Sequence, residues 1–374
     1  MTCVRCIMDN SDPDLRLDSD FVCNWCRDFD KKYQKFQFTE LQEKENLGYL
    51  ASKLKRNRRG EYDSIIGLSG GVDSSYVAHL ARVMGLNPLC VHFDNGWNSD
   101  IAVKNIRNII DVSGFDLITY VIDWPEFRDL QRAFIKAGVI DIEMVTDHAI
   151  FASLFKLMRQ HGIKTVLSGT NFSTEHGMPS KWLWNKMDLT NIKSIHKMYG
   201  ENKLESFPTT NTLKWFMMKY FRLGGNFVEP LNMISYRKDV AIEKITDVFG
   251  WVNYGGKHWE SRFTKFYQAY VLPKKFKVDK RKLHLSTLVA SGQMSREEAC
   301  NELDRIPYNS QQEMDNDIMY FLKKMKWTKA ELEDYLDRPG ISHSVYSTEK
   351  PLNDFLKKIY KMIVISKNFL ILKK

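Results

Sequence analysis

Long apolar runs are missing from this sequence of 374 residues, and their absence argues against a membrane-spanning protein. A bilayer-spanning helix needs about 20 consecutive apolar residues, whereas the apolar stretch 362–372 is shorter and is interrupted by Lys367. The start of the chain, MTCVRC, has no charged stretch followed by an apolar one, so we expect no secretory signal. We therefore expect a cytoplasmic protein without membrane insertion, in which cysteines stay reduced.

Cysteine is also scarce, and four of the six cysteines lie near the start of the chain. Cys3, Cys6, Cys23 and Cys26 have the spacing C-x2-C-x16-C-x2-C, which is typical of a four-thiolate zinc site. Four thiolates close a tetrahedron and leave no open coordination position, so the predicted zinc is structural. Iron or a redox dithiol pair stays open as an alternative. Residues 1–30 hold three arginines against seven aspartates, and we expect this acidic module to pack against protein rather than nucleic acid.

Acidic residues are outnumbered over the whole chain, with 46 Asp and Glu against 55 Lys and Arg, for a net charge of +9. Such an excess favours an acidic partner: nucleic acid, an anionic membrane or a phosphorylated small molecule. Residues 31–60 carry nine Lys and Arg against three Glu, and they are predicted to form a basic helical connector. Residues 256–282 carry nine against two, so this window holds the most concentrated part of the excess.

Between residues 61 and 255, short apolar strands alternate with amphipathic helices. The predicted strands are 64–68, 88–94, 117–122 and 164–167, and the predicted helices are 74–84, 100–112, 126–137 and 147–160. This order predicts an α/β fold with a parallel, doubly wound sheet, in which ligands bind beyond the carboxyl ends of the strands. Residues 178–230 lack periodicity and are predicted to form an irregular insertion or lid. Residues 256–374 are predicted to be mainly helical, with capping boxes that begin at Ser295 and Thr328.

A loop of small residues joins the first predicted strand to its helix, in the segment IIGLSGGVDSS at 65–75. Gly70 and Gly71 allow backbone N–H groups to approach an anion, and the helix N-terminus adds the positive end of its dipole. No Gly-Lys-Ser/Thr follows, so the loop is not a Walker A motif and we do not expect transfer of the γ-phosphoryl group.

SGGVDSS in this setting resembles the pyrophosphate loop of the ATP pyrophosphatase (PP-loop) superfamily, which has an adenine nucleotide alpha hydrolase-like fold. The resemblance covers roughly 62–176, within the domain 61–255, and implies that ATP is cleaved between its α and β phosphates. It also implies that ATP is bound by the loop, by the end of the second strand and by a later Gly-Thr pair. These residues are Ser69, Gly70, Gly71, Val72, Asp73, Ser74, Ser75, Phe93, Asp94, Gly169 and Thr170.

Two carboxylates suggest a magnesium site beside the phosphates. The segment Ser168–Asn171 followed by Glu175 resembles the later loop of the superfamily, where a Gly-Thr pair precedes a carboxylate. Asp73 lies within the pyrophosphate loop, where a carboxylate is unfavourable without a cation. Asp73 and Glu175 together with phosphate oxygens suit octahedral Mg²⁺. A surface glutamate in a loop is the alternative interpretation of Glu175.

The basic window begins with YGGKHWESRFTKF at 254–266 and continues with KFKVDKRKLHLS at 275–286. We interpret it as a cationic wall for polyphosphate, although a solvated basic helix with core aromatics is the alternative. Lys257, Arg262, Lys275 and Arg281 are the candidates for stabilising phosphate charge during catalysis, together with Asp73. His258 and His284 are candidates for proton transfer, but core or surface histidines would explain them equally well.

The cysteine pairs, SGGVDSS and these two basic segments together resemble the N-acetyl sugar amidotransferases of bacterial lipopolysaccharide and O-antigen biosynthesis, the WbpG-like family. The resemblance implies that an acetamido group on a nucleotide-linked sugar, of the UDP-acetamido uronate type, becomes an acetamidino group through an imidoyl-adenylate, with release of AMP and pyrophosphate. No glutaminase motif is present. The resemblance therefore also implies separate glutaminase and ammonia-channel subunits similar to the two halves of imidazole glycerol phosphate synthase.

Two rival hypotheses account for parts of the same sequence. A PP-loop tRNA sulfurtransferase with an N-terminal zinc module needs further cysteines, and the chain offers only Cys90 and Cys300 after Cys26. A zinc-dependent nucleic-acid-binding module would explain the net charge but would leave SGGVDSS and Glu175 without a role. We therefore expect no nucleic-acid partner.

Overall fold

The computed structural model of this protein describes residues 2–371, with side chains described up to residue 363. One parallel sheet has the strand order β3-β2-β1-β4-β5. Its strands are β1 (Ser64–Gly67), β2 (Pro88–Asp94), β3 (Leu117–Val121), β4 (Thr165–Leu167) and β5 (Asn226–Val228). The sequence-based prediction of an α/β fold with a parallel sheet is therefore confirmed.

Helices pack around this sheet, and those after residue 260 share one apolar cluster with residues of 127–145 and with the four N-terminal cysteines. They are α1 (Asn24–Tyr33), α2 (Glu40–Asn57), α3 (Val72–Val83), α4 (Asp100–Ser113), α5 (Trp124–Ala137), α6 (Met144–Gln160), α7 (Phe172–Glu175), α8 (Leu189–Tyr199), α9 (Thr212–Phe221), α10 (Lys238–Phe249), α11 (Arg262–Phe266), α12 (Arg281–Ala290), α13 (Arg296–Asp304), α14 (Gln311–Met325), α15 (Lys329–Asp337) and α16 (Lys350–Ile371). A π-helical segment, Tyr267–Phe276, follows α11, and 3₁₀ turns lie at Gln34–Phe36, Ser180–Trp182, Pro230–Met233 and His343–Val345.

Successive residues of β1 pack on opposite faces of the sheet, as alternation along a strand requires. Ile65 belongs to an apolar cluster with Leu154 of α6, whereas Ile66 belongs to another with Val77 of α3. Both isoleucines are fully buried. The sheet is therefore covered by helices on both faces, which is the doubly wound arrangement.

The chain order reverses at the centre of the sheet, where β1 lies between β2 and β4. Strands β2 and β3 extend the sheet on one side, and β4 and β5 extend it on the other. In doubly wound sheets this switch point leaves a crevice beyond the carboxyl ends of the two central strands. The fold thus places the loops after β1 and β4 side by side.

Residues 178–230 were predicted to be irregular, but the structure shows regular elements there. The segment contains α8, α9 and β5, and β5 pairs in parallel with β4. β5 has only three residues, Asn226–Val228, and follows the Gly224–Gly225 pair, so no sequence period marks it. Pairing with β4 supplies the hydrogen bonds that such a short strand cannot supply by itself.

The cysteine module and the C-terminal helices pack together on one side of the α/β domain. Ile7 donates its backbone N–H to the Ser286 hydroxyl of α12 at 3.2 Å, and Arg296 donates to the carbonyl oxygen of Cys6. Lys282 pairs with Asp9 at 2.6 Å. The acidic module therefore packs against protein, as the sequence predicted. In the described part of the chain, no helix combines the length and apolar character needed to cross a membrane.

Candidate active site

The loop between β1 and α3 lies at the switch point and has the geometry of an anion site. Gly70 has a φ of +80°, and a Cβ atom there would lie 2.5 Å from the carbonyl oxygen of Ala102, so only glycine fits. The Ser69 hydroxyl accepts the N–H of Gly71 at 3.2 Å and lies 3.1 Å from the Ser74 hydroxyl. The N-cap of α3, Gly71, offers no side-chain cap. The first N–H groups of α3 are thus left for a ligand.

Two residues from distant elements hold this loop in place. Trp251 donates its indole N–H to the carbonyl oxygen of Gly70 at 2.9 Å. Asn105 of α4 contacts the same carbonyl at 3.4 Å and also bonds to the backbone of Val252. The loop is therefore fixed from its rear side, while its N–H groups face a cavity of about 750 Å³.

Asp73 occupies the first turn of α3 and faces this cavity. Tyr236, a fully buried side chain, donates its hydroxyl hydrogen to Asp73 Oδ1 at 2.5 Å. Burial raises the pKa of the Asp73 carboxyl, and the nearby Glu175 raises it further, whereas Lys257 and Tyr236 favour the charged form. A Cβ atom at Gly169 would lie 3.1 Å from Asp73 Cβ, so the glycine after β4 permits the close approach of the two loops.

Glu175 enters the same cavity from α7, beyond β4, and pairs with Lys257 at 2.8 Å. Burial opposes the charged form of Glu175, but Lys257 outweighs it and lowers the pKa of the carboxyl. The structure thus brings together Asp73, Glu175 and Lys257, which are far apart in sequence. Two carboxylates facing one cavity beside an uncapped helix N-terminus fit the oxygen ligands of Mg²⁺.

The turn Tyr254–Trp259 carries Lys257 into the cavity. Gly255 has a φ of +104°, and Cβ atoms at Gly255 and Gly256 would lie only 2.7 and 2.4 Å from the Trp259 ring. The two glycines therefore let Trp259 fold back against its own turn. The Tyr254 hydroxyl donates to Glu260 at 3.2 Å, and both side chains lie close to Gly71 of the phosphate loop.

Two histidines line the cavity in different electrostatic surroundings. His258 lies 3.7 Å from Glu260; burial favours its neutral form, but this carboxylate outweighs burial and raises the pKa of His258. Burial lowers the pKa of His284 well below the usual range, and four nearby cationic side chains lower it further. The two rings lie 5.8 Å apart. The pKa values of the two imidazoles are therefore shifted in opposite directions, although both rings line one cavity.

Comparisons with known proteins match two separate ranges of the chain, and each range contributes residues to this cavity. Residues 59–171 match the family model of asparagine synthase. Residues 260–361 match the model of the LPS biosynthesis protein WbpG-like, C-terminal domain.

The chain joins a PP-loop domain to a WbpG-like C-terminal domain.

The family resemblance inferred from the motifs is thereby confirmed, and the two domains support an ATP-dependent ligase or amidotransferase. No curated protein sequence matches the chain. Among solved structures, an NMN synthetase from Francisella tularensis is 15% identical over 57% of this chain and 94% of its own, with a TM-score of 0.31. An NH3-dependent NAD synthetase from Campylobacter jejuni subsp. jejuni, in complex with the nitrate ion, is also 15% identical. It covers 56% of this chain and 93% of its own, with a TM-score of 0.30.

The four cysteines ahead of the PP-loop domain form a cluster whose donor set fits zinc. The sulfur atoms of Cys3, Cys6, Cys23 and Cys26 all lie within 4.8 Å of one another, and all four side chains are buried. Cys6 Sγ and Cys23 Sγ are 3.7 Å apart. Zn–S bonds of about 2.3 Å in a tetrahedron put the sulfurs about 3.8 Å apart. The geometry therefore matches the predicted structural zinc site.

The cysteine module also supports the loop that carries Glu175. Phe29 of α1 stacks on Phe172 of α7 with ring centroids 5.0 Å apart, and Phe36 stacks on the same ring at 4.6 Å. His176, next to Glu175, lies 3.2 Å from Asp28. Because α7 is a single turn, these aromatic contacts rather than its own hydrogen bonds hold it.

Three of the cations predicted to bind phosphate, Arg262, Lys275 and Arg281, have protein partners in this structure. Arg262 pairs with Asp317 at 2.7 Å and lies over the Tyr320 ring. Lys275 donates to the backbone carbonyls of Tyr335 and Arg338. Neither side chain lines the cavity. Both residues therefore stabilise the packing of the WbpG-like domain.

Arg281 borders the cavity, but its guanidinium group is occupied. It pairs with Asp279 at 2.8 Å and donates to the carbonyl oxygens of Glu302, Leu303 and Arg305. These contacts tie the start of α12 to the end of α13. Of the four predicted cations, Lys257 alone points its charge at Asp73 and Glu175.

The remaining predicted ATP-binding residues divide into two groups. Ser69, Gly71, Val72, Ser74, Gly169 and Thr170 line the cavity. Gly70 shapes the loop, and Ser75 is fully buried behind it. Phe93 and Asp94 end β2 and do not line the cavity; Phe93 stacks on Tyr120, and Asp94 accepts hydrogen bonds from Gly96 and Asn98.

Several residues in or beside the cavity were not predicted as site residues. Lys238 begins α10, and Lys280, only 6% exposed, pairs with Glu143 at 3.2 Å. Tyr236, Trp251 and Tyr254 hold the loop or its aspartate. Tyr254 and Lys280 belong to the two basic segments, but no spacing rule connects the other three to residues 69–75.

Proposed function

We propose that the protein is an ATP-dependent amidotransferase that converts the acetamido group of a nucleotide-linked sugar into an acetamidino group. The observation that carries this proposal is one cavity shared by the phosphate loop of the PP-loop domain and the segment 257–309 that leads through the WbpG-like domain. A cavity of about 750 Å³ is large enough for a bound nucleotide and the reacting part of a second substrate.

The first step is adenylation of the amide, because an amide is a poor electrophile. The acetamido carbonyl oxygen forms a bond to the α-phosphorus of ATP, and the bond from this phosphorus to the bridging oxygen breaks. Pyrophosphate departs toward Ser69, Gly71 and Ser74, where the free N–H groups of α3 receive it. Lys257 adds positive charge at the same place, and a Mg²⁺ ion on Asp73 and Glu175 would supply more.

The second step replaces the adenylate with nitrogen. Ammonia attacks the imidoyl carbon, and AMP leaves with its phosphate oxygen. We further propose that ammonia comes from separate glutaminase and channel subunits, in keeping with the family resemblance. This scheme needs no protein nucleophile, and neither Cys90 nor Cys300 lines the cavity.

Mass spectrometry of a defined reaction tests the proposal. Purified protein is incubated with ATP, an ammonium salt and a panel of UDP-acetamido uronates, and the product is searched for exchange of the carbonyl oxygen for NH. We expect pyrophosphate release that depends on the acetamido sugar. Absence of pyrophosphate with every sugar of the panel would contradict the proposed function.

Replacing the loop carboxylate provides the matched variant. We expect Asp73→Asn to abolish the product, because the buried site then lacks one of its two carboxylates for a cation. Its zinc content should equal that of the unmodified protein, because Asp73 makes no contact with the cysteine cluster. Joint loss of product and zinc would instead make Asp73 a structural residue.

A further inference from the structure

His284 is a cavity residue that the two steps above leave without a role. It lies on α12 and faces the cavity that holds Lys257 and Glu175. Both ring nitrogens are shielded from solvent, and neither has a hydrogen-bond partner among the described residues. A buried polar atom normally has a partner, so this ring is in position to receive one from a bound substrate.

The buried histidines of the same chain are engaged to different degrees, and His79 leaves its Nδ1 without a partner. His148 has both ring nitrogens engaged, by the carbonyl oxygen of Lys186 at 2.8 Å and the N–H of Thr210 at 3.1 Å. His343 is likewise engaged on both sides, by Asn191 and by the N–H of Asp141. His284 differs from these residues because both of its ring nitrogens lack a partner and because it lines the cavity, which His79 does not.

Burial, and after it the cationic charges around His284, lower the pKa of this ring well below the ordinary histidine value. Four cationic side chains lie near the ring. Lys257 and His258 belong to the turn after residue 254, Lys280 directly precedes α12, and Lys238 begins α10. The carboxylates of this region engage other groups: Glu175 pairs with Lys257, and Glu260 pairs with His258. The neutral imidazole therefore has a free lone pair at neutral pH.

We propose that His284 is the general base of the ammonia step, accepting a proton from the nitrogen that has added to the imidoyl carbon. This assignment rests on the proposed function. The ring lines the cavity in which adenylation is proposed to occur, and its two nitrogens have no other partner among the described residues.

The proton balance requires such an acceptor. Ammonia forms a C–N bond with its lone pair, the C=N electrons move to the sugar nitrogen, and the new nitrogen carries three hydrogens and a positive charge. His284 takes one of these protons. The C–O bond then breaks, its electrons leave with the phosphate oxygen of AMP, and a nitrogen lone pair forms the C=N bond of the amidinium product. The proton passes from His284 to solvent or to the departing pyrophosphate.

The test separates the two steps in the full-length His284→Gln variant. Without ammonium, a single turnover with ATP and the active UDP-acetamido uronate measures pyrophosphate release; added ammonium then measures amidine formation. We expect the rate of pyrophosphate release to stay within about threefold of that of the unmodified protein. The rate of amidine formation should fall by about 10²–10⁴-fold, the usual contribution of a general base. His161→Gln, at the end of α6 and away from the cavity, is the matched control and should match the unmodified protein in both measurements.

Rescue and pH dependence distinguish a base from a structural residue. In His284→Ala, added imidazole should restore amidine formation in proportion to its concentration. In the unmodified protein, the rate of amidine formation, divided by the concentration of unprotonated ammonia, should stay constant down to below pH 6.5, the ordinary histidine pKa. It should fall at lower pH, and this fall should be absent from the variant. Full amidine formation by His284→Gln, or equal loss of both steps without imidazole rescue, would overturn the assignment. An unmodified protein that releases no pyrophosphate would instead overturn the proposed function and the base with it.

Discussion

At Asp73, a carboxylate is held in a buried site by one hydroxyl group and one ammonium group. The Tyr236 hydroxyl donates to it at 2.5 Å, and the Lys257 charge opposes the effect of burial on its pKa. SGGVDSS predicted Asp73 because a carboxylate within a phosphate loop is chemically unusual. Nothing near residue 236 predicted Tyr236, because the hydroxyl reaches Asp73 only after α10 packs on α3.

Removing this hydroxyl should change the pH dependence of adenylation. The Tyr236 hydrogen bond favours the charged carboxylate and is worth about 1.5–3 kcal/mol, the usual value for a bond to a charged group. In Tyr236→Phe, the pKa of Asp73, already raised by burial, should rise further. The carboxylate form is then lost at a higher pH as the solution is acidified.

We therefore expect the acid limb of pyrophosphate release to move to higher pH in Tyr236→Phe. Rates measured across the acidic and neutral range would show it. Tyr49→Phe removes an exposed hydroxyl from α2 and serves as the control. An unchanged limb in Tyr236→Phe would show that Asp73 does not titrate in this range.

At the level of elements, the turn Gly255–Gly256 decides whether Lys257 reaches the cavity. A residue with a Cβ atom at either position would bring that atom closer to the Trp259 ring than normal contact allows. The lysine of YGGKHWES is a recognisable candidate for a phosphate site, but no short-range rule explains the two glycines before it. The reason is the folded-back position of Trp259, which tertiary packing sets.

Gly256→Ala should lower activity by displacing Trp259 and, with it, the turn that carries Lys257. We expect the free energy of unfolding to fall by about 1–3 kcal/mol, the usual cost of overpacking. The rate of pyrophosphate release should fall by more than this loss of stability explains. Thermal unfolding and the release assay measure the two effects. Gly48→Ala, in α2 with open space around it, should be neutral or stabilising by up to about 1 kcal/mol.

The cysteine module is the second element whose role depends on its neighbours. Its spacing predicted a metal site, but only packing shows that Phe29 supports α7 and that Ile7 and Lys282 join the module to α12. These two helices carry Glu175 and His284. We infer that the proposed zinc ion preserves the shape of the active site without touching the substrates.

Cys23→Ser should therefore lose zinc, unfold at a lower temperature and lose pyrophosphate release. Metal analysis, thermal unfolding and the release assay check these outcomes. Cys300→Ser, a partly exposed residue outside the module, should keep all three properties. Retention of full activity by a zinc-free Cys23→Ser protein would show that the module does not support the site.

At the scale of the whole molecule, the positive charge of residues 256–282 is largely used to join different parts of the fold. The window 256–282 carries nine cations, and most of them have acidic partners from other segments. Lys265 pairs with Glu313 and Asp317, and Lys282 with Asp9. The basic segment therefore joins several elements of the fold, while Lys257, Lys280 and Arg281 line the cavity.

Because these cations are paired, we expect only weak affinity for nucleic acid. Binding of tRNA at physiological salt should be non-specific, with a Kd of about 10⁻⁴–10⁻⁶ M. A filter-binding or fluorescence titration at several salt concentrations measures it. Tight tRNA binding without sugar-dependent pyrophosphate release would favour the rival nucleic-acid hypotheses.

The sequence alone determined the features that depend on local order. Three features follow from short-range rules of backbone geometry or metal coordination: the alternating strands and helices, the small residues of 69–75, and the paired cysteines. They were sufficient to predict the parallel sheet, the loop at Asp73 and the cysteine cluster. The four strands predicted from apolar runs match β1–β4 within one residue at each end.

Tertiary structure alone decided which charges meet. Lys257 reaches Glu175, whereas Arg262 and Lys275 turn away to partners more than 50 residues along the chain. A charged side chain is stabilised by whichever opposite charge or carbonyl oxygen the fold places beside it, and desolvation makes that choice strong. Such pairings are long-range, so the sequence showed which residues could serve the site, and packing selected those that do.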